Sequence, residues 1–216
     1  MSWKNDQVSE AETEKILEVA REMSSVRGDF VEMGCYKGDT SLLLAEILRD
    51  YNRGVPVEKL GKSGGKDVEG DVSGETVKKL WIYDSFEGLP EKAGEDESAL
   101  GVDFRKGELA VTKREVKERF LRAGLPVPVI KKVWFSDLIE ADLPERIAFA
   151  FLDGDLYESI KCSLRLVGPK MMKGGVILVH DYSNPALPGV ARAVDEWLAG
   201  RDYRVEVLQS LAILTK

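Results

Sequence analysis

A run of six apolar residues, IAFAFL at 147–152, is followed at once by the acidic segment that contains Asp153, Asp155 and Glu158. An apolar run of strand length without polar alternation is typical of a parallel strand that is covered on both faces. Open α/β sheets bind their ligands beyond the carboxyl ends of such strands. The run therefore predicts a buried parallel strand that ends at a binding site, although Asp155 and Glu158 could instead stabilise the start of the next helix.

Strand-length apolar runs alternate with amphipathic helical segments along the chain. Strands are predicted at 30–34, 80–86, 129–135, 147–154 and 174–182, and helices at 9–25, 38–51, 112–125, 157–171 and 190–201. Residues 203–209 and 211–216 are separated by very little, which predicts a terminal hairpin. The alternation predicts an α/β fold in a single Rossmann-like domain over 1–216, with a mostly parallel seven-stranded sheet, a C-terminal antiparallel hairpin and helices on both faces.

Three segments lie outside this alternation. Residues 1–26 form an N-terminal helical extension in which Ser9 and Glu12 have the spacing of a capping box. Residues 53–77 are rich in glycine and poor in large apolar groups, which predicts a mobile insertion that folding does not require. Residues 88–110 are polar and irregular and are predicted to form a lid-like loop over the site.

The composition restricts the class of partner. The chain has 216 residues and a net charge of −7, whereas binders of nucleic acids and anionic membranes usually carry a basic face. It has no signal-peptide pattern at its start and no apolar run near the ~18 residues of a membrane span. The two cysteines cannot form a disulfide framework, so the expected location is the cytoplasm. Cys35 is interpreted either as a packed thiol or as a reactive one.

Polar residues follow each of the first three strands. The loop EMGCYKGDTS at 32–41 is either a plain strand-helix turn or a backbone cradle for a carboxylate or phosphate. Asp84 ends the second strand, where an acid binds ribose hydroxyls in nucleoside-binding folds. Ser136 and Asp137 follow the third strand and either reach an adenine edge or cap a turn. Together these positions indicate a nucleoside-containing cofactor.

Five segments carry a specific resemblance. FVEMGCYKGDTSLL, YDSFEGLP, KGELAVTKREVKERF, FLDGDLYES and GGVILVHDY occur in this order between about residues 27 and 200 and resemble the macrocin O-methyltransferase family of class I methyltransferases. The resemblance implies a transferase that moves the methyl group of S-adenosylmethionine (SAM) to a hydroxyl of a small molecule. The implied acceptor is a sugar or a natural-product glycoside, and the implied metal is Mg²⁺ or Mn²⁺.

The resemblance also implies the site residues. The residues implied to bind SAM are Glu32, Gly34, Tyr36, Gly38, Thr40, Ser41, Asp84, Ser85, Phe86, Ser136 and Asp137. The residues implied to bind the metal and to take part in catalysis are Asp153, His180 and Asp181.

One departure from the family pattern concerns the metal. The family commonly has Asp-Asp-Tyr where this chain has His180-Asp181-Tyr182, and His180 is its single histidine. Mg²⁺ prefers oxygen ligands, whereas imidazole suits Mn, Fe, Co or Zn. His180 is therefore interpreted as a metal ligand, as the general base or as a structural hydrogen-bonding group.

Two other functions are compatible with the same pattern. One is a metal-dependent hydroxylase similar to the cephalosporin hydroxylase family, and the other is a SAM-binding module without catalysis. The expected partners are a small-molecule hydroxyl acceptor and a second copy in a homodimer, with no nucleic acid and no membrane.

Overall fold

The computed structural model describes residues 7–54, 77–101 and 104–216. Within these ranges the helices are α1 (Glu10–Met23), α2 (Asp39–Arg53), α3 (Lys113–Ala123), α4 (Tyr157–Val167) and α5 (Pro188–Leu198). The strands are β1 (Asp29–Met33), β2 (Leu80–Asp84), β3 (Val129–Lys132), β4 (Ile147–Leu152), β5 (Met171–Val179), β6 (Arg204–Leu208) and β7 (Leu211–Thr215). Most of the insertion predicted at 53–77 lies outside the described residues, so its mobility stays a prediction.

The described strands form one sheet in the order β3-β2-β1-β4-β5-β7-β6. Strands β3, β2, β1, β4 and β5 run parallel, whereas β7 pairs antiparallel with both β5 and β6. The predicted α/β class, the mostly parallel seven-stranded sheet and the terminal hairpin are therefore confirmed. The strand order reverses between β1 and β4, and such a switch point is where open α/β sheets bind ligands.

Strand β4 has no polar residue because helices cover both of its faces. Phe149 and Phe151 pack in a core cluster with residues of α1, α2 and α3. Ala150 and Leu152 point the other way, into a cluster with residues of α4 and α5. Alternate residues of one strand thus fill two cores, so a polar residue in β4 would be buried at a cost.

Several element ends differ from their predicted positions. Helix α1 begins after Ser9 with the predicted capping box, in which the Ser9 hydroxyl accepts from the Glu12 N–H at 3.3 Å. Strands β2, β3 and β4 end before residues 86, 135 and 154 because the chain turns there into the loops of the sheet edge. Helix α4 ends at Val167, since Pro169 lacks the N–H that would continue it. None of the helices in the described ranges is long and apolar enough to cross a lipid bilayer.

Candidate functional site

Three residues continue the strand hydrogen bonding past the carboxyl ends of the strands. The N–H groups of Gly34, Asp153 and His180 donate to carbonyls of the neighbouring strands at 2.9, 2.8 and 3.0 Å. These residues immediately follow β1, β4 and β5, so the parallel register places them side by side along the carboxyl edge. The edge includes the switch point between β1 and β4.

A cavity of about 260 Å³ lies at this edge. Its wall contains many of the residues that the sequence indicated, namely Glu32, Gly34, Tyr36, Thr40, Asp84, Ser85, Asp153, His180 and Asp181. Because they come from the ends of β1, β2, β4 and β5, the ends of four strands converge on one cavity.

Asp84 holds the loop that follows β1. Its Oδ2 accepts hydrogen bonds from the N–H groups of Cys35 and Tyr36 at 2.9 and 3.2 Å. Its Oδ1 accepts from the N–H of Phe86 at 2.7 Å. A carboxylate offers about four acceptor positions, so about one remains for a ligand hydroxyl in the cavity.

Cys35 does not have the surroundings of a reactive thiol. Its side chain is packed in the core cluster on the α2 face of the sheet. Burial, together with the nearby Asp84 charge, raises the pKa of Cys35 well above its usual value, which disfavours the nucleophilic thiolate. The packed interpretation is the one that the geometry favours.

Glu32 is fully buried behind the loop and still reaches the cavity. One carboxylate oxygen accepts from the Ser41 hydroxyl, while Oε1 has no hydrogen-bond partner among the described residues. Burial raises the pKa of Glu32 to about 8. Gly38 begins α2 without a side-chain cap, so the start of this helix suits an anion. Gly38 and Ser41 do not line the cavity and lie behind its wall. The unpartnered Oε1 of Glu32 and the start of α2 have the chemistry to hold the amino and carboxylate groups of an amino acid.

Asp153, His180 and Asp181 form a compact cluster. His180 Nδ1 lies 3.0 Å from Asp153 Oδ1 and 3.0 Å from Asp181 Oδ2. One ligand atom from each residue lies within 4.8 Å of the other two. Neighbouring ligands of an octahedral ion at about 2.1 Å are about 3 Å apart, so both 3.0 Å spacings suit a bound cation. Two carboxylates and one imidazole therefore fit a divalent metal, with Nδ1 as the histidine ligand.

The surroundings of His180 disfavour a role as general base. Burial alone would lower its pKa, but the carboxylates of Asp153 and Asp181 raise it to about 11. Without a metal, the imidazole therefore holds its proton at neutral pH and cannot accept another. With a metal on Nδ1, that nitrogen is occupied. The ligand and structural interpretations remain.

The acids that follow β4 do not cap α4. Asp155 lines the cavity with a positive φ of 59°, and no side chain of the N-cap position caps the helix. The N–H of Tyr157 donates instead to Asp96 Oδ1 at 2.7 Å, across 61 positions of sequence. Burial, with the charges of Asp153 and Asp181, raises the pKa of Asp155 well above the usual carboxyl value. Asp155 therefore faces the site, and its interpretation as a helix cap is wrong.

Besides Gly38 and Ser41, three more residues predicted to bind SAM lie outside the cavity wall. The Phe86 side chain is packed in the core cluster. Ser136 and Asp137 are exposed on a 3₁₀ turn, where their side chains hydrogen-bond each other at 3.3 Å. The turn directs them away, and the preceding Trp134 and Phe135 line the cavity instead. The aromatic pair directly before Ser136 was a signal that the sequence analysis missed.

Within the segment 88–110, described residues on both sides of 102–103 form one wall of the cavity. The Leu89 N–H donates to the Glu108 carbonyl at 2.8 Å, and the Gly107 N–H donates to the Leu89 carbonyl at 2.9 Å. These bonds close the base of the loop, while Phe104 and Leu109 line the cavity. Its motion as a lid stays a prediction.

Comparison with known sequences finds a matching family and relatives that are named as O-methyltransferases. Residues 70–209 match the family described as "Macrocin-O-methyltransferase (TylF)". The chain is 32% identical over 164 residues to the 8-demethyl-8-(2,3-dimethoxy-alpha-L-rhamnosyl)-tetracenomycin-C 4'-O-methyltransferase of Streptomyces olivaceus, covering 73% of this chain and 54% of that protein. It is 31% identical over 191 residues to the demethyldecarbamoylnovobiocin O-methyltransferase of Streptomyces niveus, covering 86% of this chain and 63% of that protein. The chain thus spans less than two thirds of either relative.

Solved structures give the same picture for the fold. The O-methyltransferase NovP superposes with a TM-score of 0.73 at 26% identity, covering 95% of this chain and 79% of that one. The calicheamicin methyltransferase CalS11 superposes with a TM-score of 0.72 at 19% identity, covering 95% and 78%, which supports the fold alone.

Proposed function

The chain belongs to the macrocin O-methyltransferase family, and from this premise we propose that it transfers the methyl group of SAM to a hydroxyl of a small-molecule glycoside. The observation that carries the proposal is the convergence of Asp84, Glu32 and the cluster around Asp153 on one cavity. In class I folds the cofactor occupies the carboxyl edge at the switch point, which is where this cavity lies.

The cavity offers a complementary group for each part of SAM. The unpartnered Oε1 of Glu32 suits the amino group, and the uncapped start of α2 suits the carboxylate. The remaining acceptor position of Asp84 suits a ribose hydroxyl. Trp134 and Phe135 supply aromatic surface in the same wall, which suits the adenine ring.

The methyl acceptor would sit between the cofactor and the acidic cluster. Asp153, His180 and Asp181 would hold the divalent cation. When bound, that cation would lower the pKa of one hydroxyl of the methyl acceptor and would orient a neighbouring hydroxyl. Holding the oxygen about 3 Å from the methyl carbon, in line with the departing sulfur, provides most of the remaining catalysis. The reaction breaks the sulfur–methyl bond, forms the oxygen–methyl bond and releases the hydroxyl proton.

Asp155 is the proposed acceptor of that proton. Its carboxylate lines the cavity beside Asp153, and it makes no capping bond to α4. A raised pKa makes the ionised Asp155 a stronger base than an ordinary carboxylate, and a cation held by Asp153 and Asp181 would offset the negative charges that raise this pKa. The acceptor itself is inferred from the family, because the tetracenomycin relative is named for methylation of a rhamnosyl compound.

Asp84→Ala is expected to weaken binding of S-adenosylhomocysteine by about 10–100-fold, because it removes ~1.5–3 kcal/mol of charge-assisted hydrogen bonding. Calorimetry with S-adenosylhomocysteine and with its 2′-deoxy analogue separates the contact of Asp84 with the ribose from its contacts with the loop after β1. The wild type should bind S-adenosylhomocysteine more tightly than the 2′-deoxy analogue, and Asp84→Ala should bind the two compounds with similar affinity. Asp137→Ala, an exposed acid after the next strand, is the matched control. Equal affinity in wild type and Asp84→Ala would remove Asp84 from the site.

His180→Asp is expected to keep turnover and to shift the metal preference toward Mg²⁺. Both Nδ1 of histidine and Oδ of aspartate are bonded to Cγ, so the new oxygen falls near the position of Nδ1. Wild type should work at least as well with Mn²⁺ or Co²⁺ as with Mg²⁺, because imidazole nitrogen favours those ions. Turnover of chelated protein with each added metal measures this. A loss of about 10²–10⁴-fold with every metal would instead identify His180 as the base.

A further inference from the structure

Glu12 is a buried carboxylate on α1 that is held at both oxygens. Oε1 accepts from the N–H and hydroxyl of Ser210 at 2.9 and 2.6 Å. Oε2 accepts from the N–H and hydroxyl of Ser9 at 3.2 and 2.7 Å. The residue as a whole is 4% exposed. Four hydrogen bonds thus fix this carboxylate between the N-terminal helix and the β6–β7 turn.

The far side of the His180 ring faces this carboxylate. Nε2 lies 3.7 Å from Glu12 Oε2, while Nδ1 faces Asp153 and Asp181. Nε2 is buried and has no hydrogen-bond partner among the described residues, so the 3.7 Å contact is an electrostatic one.

We infer that Glu12 is a positioning residue for the metal site: its carboxylate faces Nε2 of His180 and so holds the ring with Nδ1, as the ligand atom, toward Asp153 and Asp181. This inference rests on the proposed metal site. Carboxylates on the outer nitrogen of metal-binding histidines fix the tautomer and orientation of the ring and strengthen its ligation. At 3.7 Å the contact is longer than a hydrogen bond, so Glu12 orients the ring through its charge.

The inference gives the N-terminal helix a part in the site. Glu12 and Ser210 both lie outside residues 70–209, the part that matches the family. The packing of α1 keeps Glu12 in place, because Ile16, Val19 and Ala20 are buried in the core. Where the family commonly has an aspartate, the imidazole of this chain adds a second, buried nitrogen, and Glu12 is the carboxylate that faces it.

Because His180 is the single histidine, a protein labelled with nitrogen-15 histidine reports on this ring alone. Zn²⁺ is a suitable diamagnetic probe for an imidazole–carboxylate site. In the wild type, Zn²⁺ should appear on Nδ1 and the proton on Nε2. Glu12→Gln should weaken Zn²⁺ binding, followed through the His180 signals, by about 10–100-fold and should shift the Nε2 resonance of the Zn²⁺-bound ring.

Two controls separate positioning from stability. Glu10→Gln changes an exposed acid on the same helix and should alter neither the spectrum nor the affinity. Thr112→Ala removes the side-chain cap of α3 and should lower the thermal midpoint, but the His180 spectrum should stay that of the wild type.

Three outcomes would overturn the inference. Unchanged affinity and an unchanged Nε2 resonance in Glu12→Gln would limit Glu12 to capping α1. Zn²⁺ bound to Nε2 in the wild type would also overturn the inference, and this result does not require that Glu12→Gln folds. If Zn²⁺ leaves the His180 signals of the wild type unshifted, the proposed metal site fails first, and the inference fails with it.

Discussion

Gly34→Ala is expected to lower the thermal midpoint by about 5–15 °C and to abolish measurable SAM binding. Gly34 has a φ of +88°, and a Cβ there would overlap the carbonyl oxygen of Asp153. The left-handed backbone costs a residue with a Cβ about 1–2 kcal/mol, and crowding adds about 1–3 kcal/mol. Each kcal/mol corresponds to ~2–4 °C in a domain of this size. Thermal denaturation and calorimetry measure the two effects.

Substitutions at two other glycines separate the backbone contribution to the loss of stability from the crowding contribution. Gly94→Ala meets open space with an ordinary φ and should change little. Gly101→Ala also meets open space but has a φ of +69°, so it reports the backbone cost alone. If Gly34→Ala behaves like Gly101→Ala, the close approach between β1 and β4 does not constrain the site.

Asp153→Asn is expected to lower turnover by about 10²–10⁴-fold while binding of S-adenosylhomocysteine stays near that of the wild type. The carboxylate contacts His180 Nδ1 at 3.0 Å, on the side of the cavity where we propose the methyl acceptor. Loss of the metal would remove several kcal/mol of stabilisation from the transition state, and ~1.4 kcal/mol is tenfold in rate. Initial rates at saturating metal, together with calorimetry, measure the split.

The matched control for Asp153→Asn comes from the same acidic segment. Glu158 lies exposed on the first turn of α4, so Glu158→Gln should change turnover by less than about 2-fold. Near-normal turnover of Asp153→Asn, or an equal loss in Glu158→Gln, would contradict the assignment of Asp153 to the metal.

The sheet and the centre of the site could be predicted because both follow from local patterns. Apolar runs such as IAFAFL mark parallel strands, and the carboxyl ends of parallel strands meet at one edge. Asp84, Asp153 and His180 end up around one cavity for this reason alone. The Ser9–Glu12 capping box was readable because it lies within a single helical turn.

The remaining features depend on side-chain direction and on distant contacts. The 3₁₀ turn at Phe135–Asp137 decides that Trp134 lines the cavity and Asp137 does not. The Asp96 contact with the start of α4 spans 61 positions, and the contact of Glu12 with Ser210 spans 198. Local periodicity carries no information on such pairs, so the roles of these two acids emerge only from the folded structure.

The central claim is methyl transfer from SAM to a sugar hydroxyl, and product analysis with isotopically labelled methyl-SAM tests it most directly. Wild-type protein, with each divalent metal added after chelation, would be incubated with glycosides that have free sugar hydroxyls. We expect the label in a methyl ether on the sugar, with S-adenosylhomocysteine in equal amount and no product after chelation alone. A hydroxylated product without label would identify a hydroxylase, and SAM binding without transfer to any acceptor would identify a binding module; either would contradict the account.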